Sequence, residues 1–168
     1  MKTKQLSSKQ LIALVLILIG AVSSIFGITG LTKGSSEDPY ESRNGIVMVY
    51  ATVYDNEGNS EAGMGTGWAI GTPGQPIQYI VTNGHVVNKA YTYPRYNSSL
   101  YGGEIDVFFS AAENDYVKAK VVYFSPQEEK DIAILQLPSP TDKRTALTLR
   151  DSGDIKIGDT AYALGYPG

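Results

Sequence analysis

From Ile46 onward the chain is a succession of short runs rich in β-branched and aromatic residues, each stopped by a cluster of turn formers. No window offers a convincing helical stripe, so the period of two dominates what this sequence can become. IVMVYATVY (46–54) stops at DNEGNSEAG, and TGWAIG (66–71) ends at TPGQP before IQYIVT (77–82), which predicts a hairpin. IDVFF (105–109), YVKAKVVYF (116–124) and DIAILQL (131–137) follow. In the fifth run Val117, Ala119 and Val121 share one face and Lys118 and Lys120 the other, the pattern of a half-solvated antiparallel strand. The turn-rich stretch 138–159 then leads to a seventh run, TAYALG (160–165). The expected architecture is all-β: a six-stranded antiparallel barrel over 46–137, a linker over 138–159, and the opening of a second unit at 160–168. A lone strand at 160–165 cannot bury its apolar face, so the chain is expected to continue past Gly168.

The N-terminus reads as an address. Residues 11–32 carry no charged side chain, and at about 1.5 Å per residue a helix of that length covers roughly the ~30 Å hydrocarbon layer. Lys2, Lys4 and Lys9 precede it, while Lys33 is soon followed by Glu37 and Asp38. The positive-inside bias makes 1–10 a cytoplasmic tail, 11–32 a single-pass transmembrane signal anchor, and everything beyond extracytoplasmic. A competing reading is a cleaved signal peptide with Ala21 and Ser23 at an A-x-A-like site, which makes the protein secreted. Residues 33–45, KGSSEDPYESRNG, read as a linker.

Composition excludes several chemistries. All 17 acidic residues fall after position 33 against ten basic ones, with no basic block, so nucleic acid is a poor partner. The absence of cysteine rules out disulfides and thiolate metal sites, and a single histidine rules out a multi-histidine zinc centre. The glycine-rich GMGTGWAIG (63–71) fails the G-x-G-x-x-G spacing and leads into a strand, which argues against a nucleotide loop. AYTYPRYNSSLYGG (90–103) reads as a long tyrosine-rich loop, suited to recognition or to packing over the barrel end, and holds a glycosylation sequon at Asn97.

The candidate chemistry lies in His85, the only histidine, which follows a strand in YIVTNGHVV, and in Asp131, a carboxylate at the mouth of an apolar strand. Taken singly, each has an ordinary structural role. Together, a carboxylate that bonds one imidazole nitrogen fixes the tautomer and leaves the other nitrogen as a base.

These segments resemble the trypsin-like serine proteases, especially the disulfide-free bacterial branch that includes the high-temperature-requirement proteases. That branch carries G-x-G-[FW]-x-I-[GS], [IV]-x-TN-[AG]-HVV and D-[IL]-A-[IV]-L in order. Here they are GTGWAIG (65–71), YIVTNGHVV (79–87) and DIAILQL (131–137), and IKIGDTAYALGYPG (155–168) is similar to the entry into that family's second barrel. Gly84 stands where alanine is commoner. The resemblance implies that 46–137 is the first barrel of a two-barrel fold, with His85 as general base and Asp131 as its orienting carboxylate.

It does not supply the nucleophile, because the family's G-[ND]-SGGP turn is absent from this chain. Ser60 in GNSEAG precedes His85 and lacks the following glycines, and Ser152 in RDSGD fits the family's inter-barrel turn, so both read as structural. The expected function is a serine endopeptidase acting on extracytoplasmic proteins or peptides, with its serine outside this chain and the fragment itself inactive. No metal or organic cofactor is implied. A noncatalytic membrane-anchored binding module, or a protease relative that lost its nucleophile, is the alternative, and the sequence does not specify an oligomeric state.

Overall fold

Strand β1 (Ile46–Tyr54) alternates strictly through its first half, burying Val47 and Val49 while Met48 and Tyr50 face outward, and its side chains set the register of the sheet. The computed structural model describes residues 39–55, 57–96, 102–149 and 151–166, which belong to the unit Glu37–Gly168. The expected tail and span at 1–32 lie outside the described residues. Among those described, no helix is long and apolar enough to cross a membrane.

A short helix α1 (Pro39–Ser42) and a 3-10 turn (Arg43–Gly45) precede β1, so the second half of the expected linker is helical. After β1 come β2 (Ser60–Ile70), β3 (Ile77–Thr82), helix α2 (Gly84–Tyr96), β4 (Gly102–Ser110), β5 (Asp115–Lys118), β6 (Lys120–Ser125) and β7 (Ile132–Thr141). The sheet is antiparallel in the order β5-β4-β1-β2-β3-β7-β6. Its two outermost strands are consecutive in the chain and separated only by Ala119, whose N–H donates to the Ile105 carbonyl of β4 at 2.8 Å. The sheet therefore curls until one bent segment borders both β4 and β7.

The expected run 116–124 is thus two strands rather than one. Its alternation survives the break: Val117, Ala119 and Val121 pack against the core while Lys118 and Lys120 are exposed. That core is drawn from alternate positions of the longer strands, Val47, Val49, Ala51 and Val53 of β1, Ile105, Val107 and Phe109 of β4, and Ala133, Leu135 and Leu137 of β7. At roughly 25 cal/mol per Å² of apolar surface removed from water, these side chains are the main favourable term of the fold.

Three expectations need correction. β2 starts at Ser60, six residues before the expected 66, because SEAGMG pairs with β1 from Tyr54↔Ser60 onward; the ladder overrides a composition that reads as turn. Residues 84–96 form α2, so the first half of the tyrosine-rich loop is helical; residues 97–101, with the Asn97 sequon, lie outside the described residues. Its apolar stripe is narrow, since Val87 and Ala90 are its buried hydrophobic positions, and a stripe of that width leaves no clear 3.6-residue signature. Residues 160–165 are not a strand: they pair with no ladder, and Tyr162 is 68% exposed.

Where β3 ends, the buried Thr82 hydroxyl donates to the Thr66 carbonyl at 2.8 Å, tying the strand that delivers His85 to β2. Thr82→Val keeps the shape and removes the donor, so it should cost about 1 kcal/mol, read as a lower urea midpoint with an unchanged slope.

Candidate functional site

Two chain segments build the site. One is the junction from β3 into α2, Thr82-Asn83-Gly84-His85; the other is the turn between β6 and β7, residues 126–131. His85 occupies the second position of α2, where a backbone N–H has no acceptor within the helix. Asp131 supplies that acceptor from across the fold. Its Oδ1 receives the His85 N–H at 2.8 Å, and a carboxylate there also sits favourably against the positive end of the helix.

The other oxygen, Oδ2, lies 2.9 Å from His85 Nδ1. The ionised carboxylate is an acceptor only, so in the neutral imidazole the proton belongs on Nδ1 and the Nε2 lone pair is free. The histidine side chain is 52% exposed and that of Asp131 22%, so a half-exposed ring sits on a partly sheltered carboxylate. The His85 backbone N–H and then its ring hold the Asp131 carboxyl below the usual aspartate range; desolvation opposes them, and Asn83 adds the smallest of the lowering effects.

The turn that presents Asp131 is itself pinned. Pro126 O accepts from the N–H groups of Glu129 and Asp131, both at 3.0 Å, and the buried Ser125 hydroxyl accepts from Lys130 N–H and donates to Glu129 Oε2, both at 3.2 Å. Asp131 has φ +52°, the left-handed region that aspartate tolerates better than most residues. Such backbone persists where surrounding contacts over-determine it.

Both sequence-expected residues are therefore brought together from 46 positions apart. The two look-alike serines are not hydrogen-bonded to His85. Ser60 opens β2 opposite Tyr54, and Ser152 opens a 3-10 turn (Ser152–Asp154) capped by the Asp151 side chain on Gly153 N–H at 2.9 Å. Two further residues of the YIVTNGHVV segment belong to the site. Asn83 Nδ2 lies 3.2 Å from Asp131 O and 3.1 Å from Asp131 Oδ2, and Gly84 lies against the Ser125 carbonyl. The asparagine in TNGH was the available signal.

An open groove of about 550 Å³ lies elsewhere, lined by Arg43, Asn44, Ile46, Arg144 and the segment Leu164-Gly165-Tyr166. Tyr166 N–H reaches Thr66 Oγ1 at 2.8 Å, so this segment rests on β2.

The curled antiparallel sheet and its His–Asp pair accompany a sequence match. The family model of the trypsin-like peptidase domain matches residues 65–168. The chain belongs to that family.

Among its relatives, the periplasmic pH-dependent serine endoprotease DegQ of Escherichia coli (strain K12) is 29% identical over 89 residues, covering 53% of this chain and 16% of DegQ. The chloroplastic Protease Do-like 1 of Arabidopsis thaliana is likewise 29% identical over 89 residues, 53% of this chain and 17% of the relative. The aligned stretch is thus a small part of either protein. The crystal structure of Deg5 is similar with a TM-score of 0.45 and 18% identity, over 75% of this chain and 55% of that one.

Proposed function

We propose that this trypsin-like chain supplies the general base and the orienting carboxylate of a serine endopeptidase, the nucleophilic serine coming from outside these 168 residues. The observation that carries the reading is the double grip of Asp131 on His85, at the backbone N–H and at Nδ1, which leaves Nε2 as the unprotonated nitrogen of a half-exposed ring. In the reaction a serine Oγ attacks the peptide carbonyl and His85 Nε2 takes its proton, then returns it to the leaving amine. Asp131 holds the ring and stabilises the imidazolium, and water hydrolyses the acyl-enzyme. Protein or peptide substrates follow from the reaction class.

In this reading residues 46–137 are the first barrel, with β5 and β6 counting as one strand bent at Ala119, and 160–168 lead into the second. The domain works outside the cytoplasm, held to the membrane by residues 11–32 or secreted after cleavage there. The lysines preceding that span and the periplasmic setting named for DegQ support the location.

The test is incubation of the full-length protein with an unfolded protein substrate and with an organofluorophosphate, which phosphorylates an activated serine. Hydrolysis blocked by one equivalent of serine-bound reagent is the expected result. Neither hydrolysis nor labelling would overturn the proposal.

A further inference from the structure

The Asp131–His85 pair needs its carboxylate held in one plane, and two bonds from His85 do not fix the backbone that carries it. Asp131 sits between a turn and the first residue of β7 with a left-handed backbone, just before the first register partner of that strand, Ile132. Asn83 meets it at that point. The carboxamide nitrogen carries two hydrogens, and it lies within bonding distance of two acceptors on the same residue, the main-chain oxygen at 3.2 Å and the carboxylate oxygen Oδ2 at 3.1 Å.

The same Oδ2 faces His85 Nδ1. One side chain thus bridges the peptide unit and the carboxylate of Asp131, so neither can rotate without breaking a bond to Asn83. Serine or threonine offers one donor and could not span both acceptors, whereas aspartate has the size but only acceptors. An amide is also neutral across the working pH range, so the clamp does not loosen as the imidazole gains and loses its proton.

We propose that Asn83 is a positioning residue: its carboxamide clamps Asp131 by backbone and carboxylate together, and thereby holds His85 in the Nδ1–H tautomer that frees Nε2. The inference rests on the Asp131–His85 reading above and adds a third member to it.

His85 is the only histidine in the chain, so its ring nitrogens are unambiguous in a ¹⁵N spectrum. The experiment records the tautomer of the neutral ring in the intact chain, at a pH where the ring carries no charge, for wild type, Asn83→Leu, Asn83→Asp and Asp131→Asn. Both Asn83 variants keep the side-chain size at an exposed position, and thermal unfolding confirms that they fold.

The wild type should carry its proton on Nδ1. Each Asn83 variant should lower the ratio of Nδ1–H to Nε2–H about tenfold, the size expected for one lost hydrogen bond to a charged group. In the active enzyme the same variants should lower kcat by a similar factor with KM unchanged. Wild-type tautomer ratios in both folded variants would overturn the role of Asn83 and leave the His–Asp pair standing. A wild type that already carries its proton on Nε2, as is expected of Asp131→Asn, would instead overturn the pair itself and the clamp with it.

Discussion

Asp131→Asn should lower the kcat of peptide hydrolysis by about 10⁴-fold in the active enzyme, and His85→Ala by at least as much. The loss comes from where the imidazole proton sits. The asparagine amide can turn its NH₂ toward His85 Nδ1, where the carboxylate oxygen stood at 2.9 Å, and a donor there forces the imidazole proton onto Nε2. The base nitrogen is then already occupied. Substrate binding does not depend on that proton, so KM should move little, and a steady-state comparison of kcat and KM checks both halves of the claim. Turnover retained by either variant would remove these residues from the mechanism.

The same carboxylate also makes a pH-dependent contribution to the fold. Its pKa is lowered in the native state, chiefly by the His85 N–H and then by the ring. A group depressed on folding stabilises the native state above its unfolded value, here the ordinary 3.8, and loses that contribution as the pH falls through the lower folded value. The gap in thermal midpoint between wild type and Asp131→Asn should therefore be present at neutral pH and narrow in acid below that range. A gap that stays constant would mean that the carboxylate is not held as an ion.

Gly84→Ala should destabilise the chain by about 1–3 kcal/mol, even though alanine is the commoner residue at this place in the family it resembles and a better helix former by up to about 1 kcal/mol. Gly84 opens α2 and is buried. A Cβ there would lie 2.2 Å from the Ser125 carbonyl oxygen, 3.3 Å from Ile132 N and 3.4 Å from Asp131 Oδ1. The first contact is with backbone, in a segment pinned by the Ser125 hydroxyl bonds, so a rotamer change cannot relieve it. Displacing that carbonyl shifts the turn that carries Asp131, and the variant should lose kcat as well as stability. Urea unfolding measures the first and turnover the second. An unchanged or higher urea midpoint would show that the turn yields freely and that helix propensity wins.

Particular residues show which parts of this were legible beforehand. Alternation in 116–124 placed Val117, Ala119 and Val121 toward the core and Lys118 and Lys120 toward solvent, because side chains two apart share a face whatever the partner strand is. The first half of β2 was not legible, since SEAGMG has little strand propensity and is a strand only by pairing with β1. Nor was α2, whose buried residues Val87 and Ala90 are too few to write a helical period. Residues 160–165 have strand composition and no partner, and remain irregular. Within the site, His85 and Asp131 were found through ordered motifs, whereas Asn83 and Gly84, though inside the same YIVTNGHVV segment, carried no assigned role.

What followed from the chain's own order of residues, then, was what is local: the all-β character, the faces that turn inward, and the two side chains able to share a proton. Tertiary structure decided the rest, namely the bend at Ala119 that turns one segment to both β4 and β7, and the meeting of Asp131 with the start of α2. Side-chain periodicity is a property of one strand, but a ladder bond or a helix cap needs a partner. Here that partner lies 46 residues away, and only the folded sheet brings it within 3 Å.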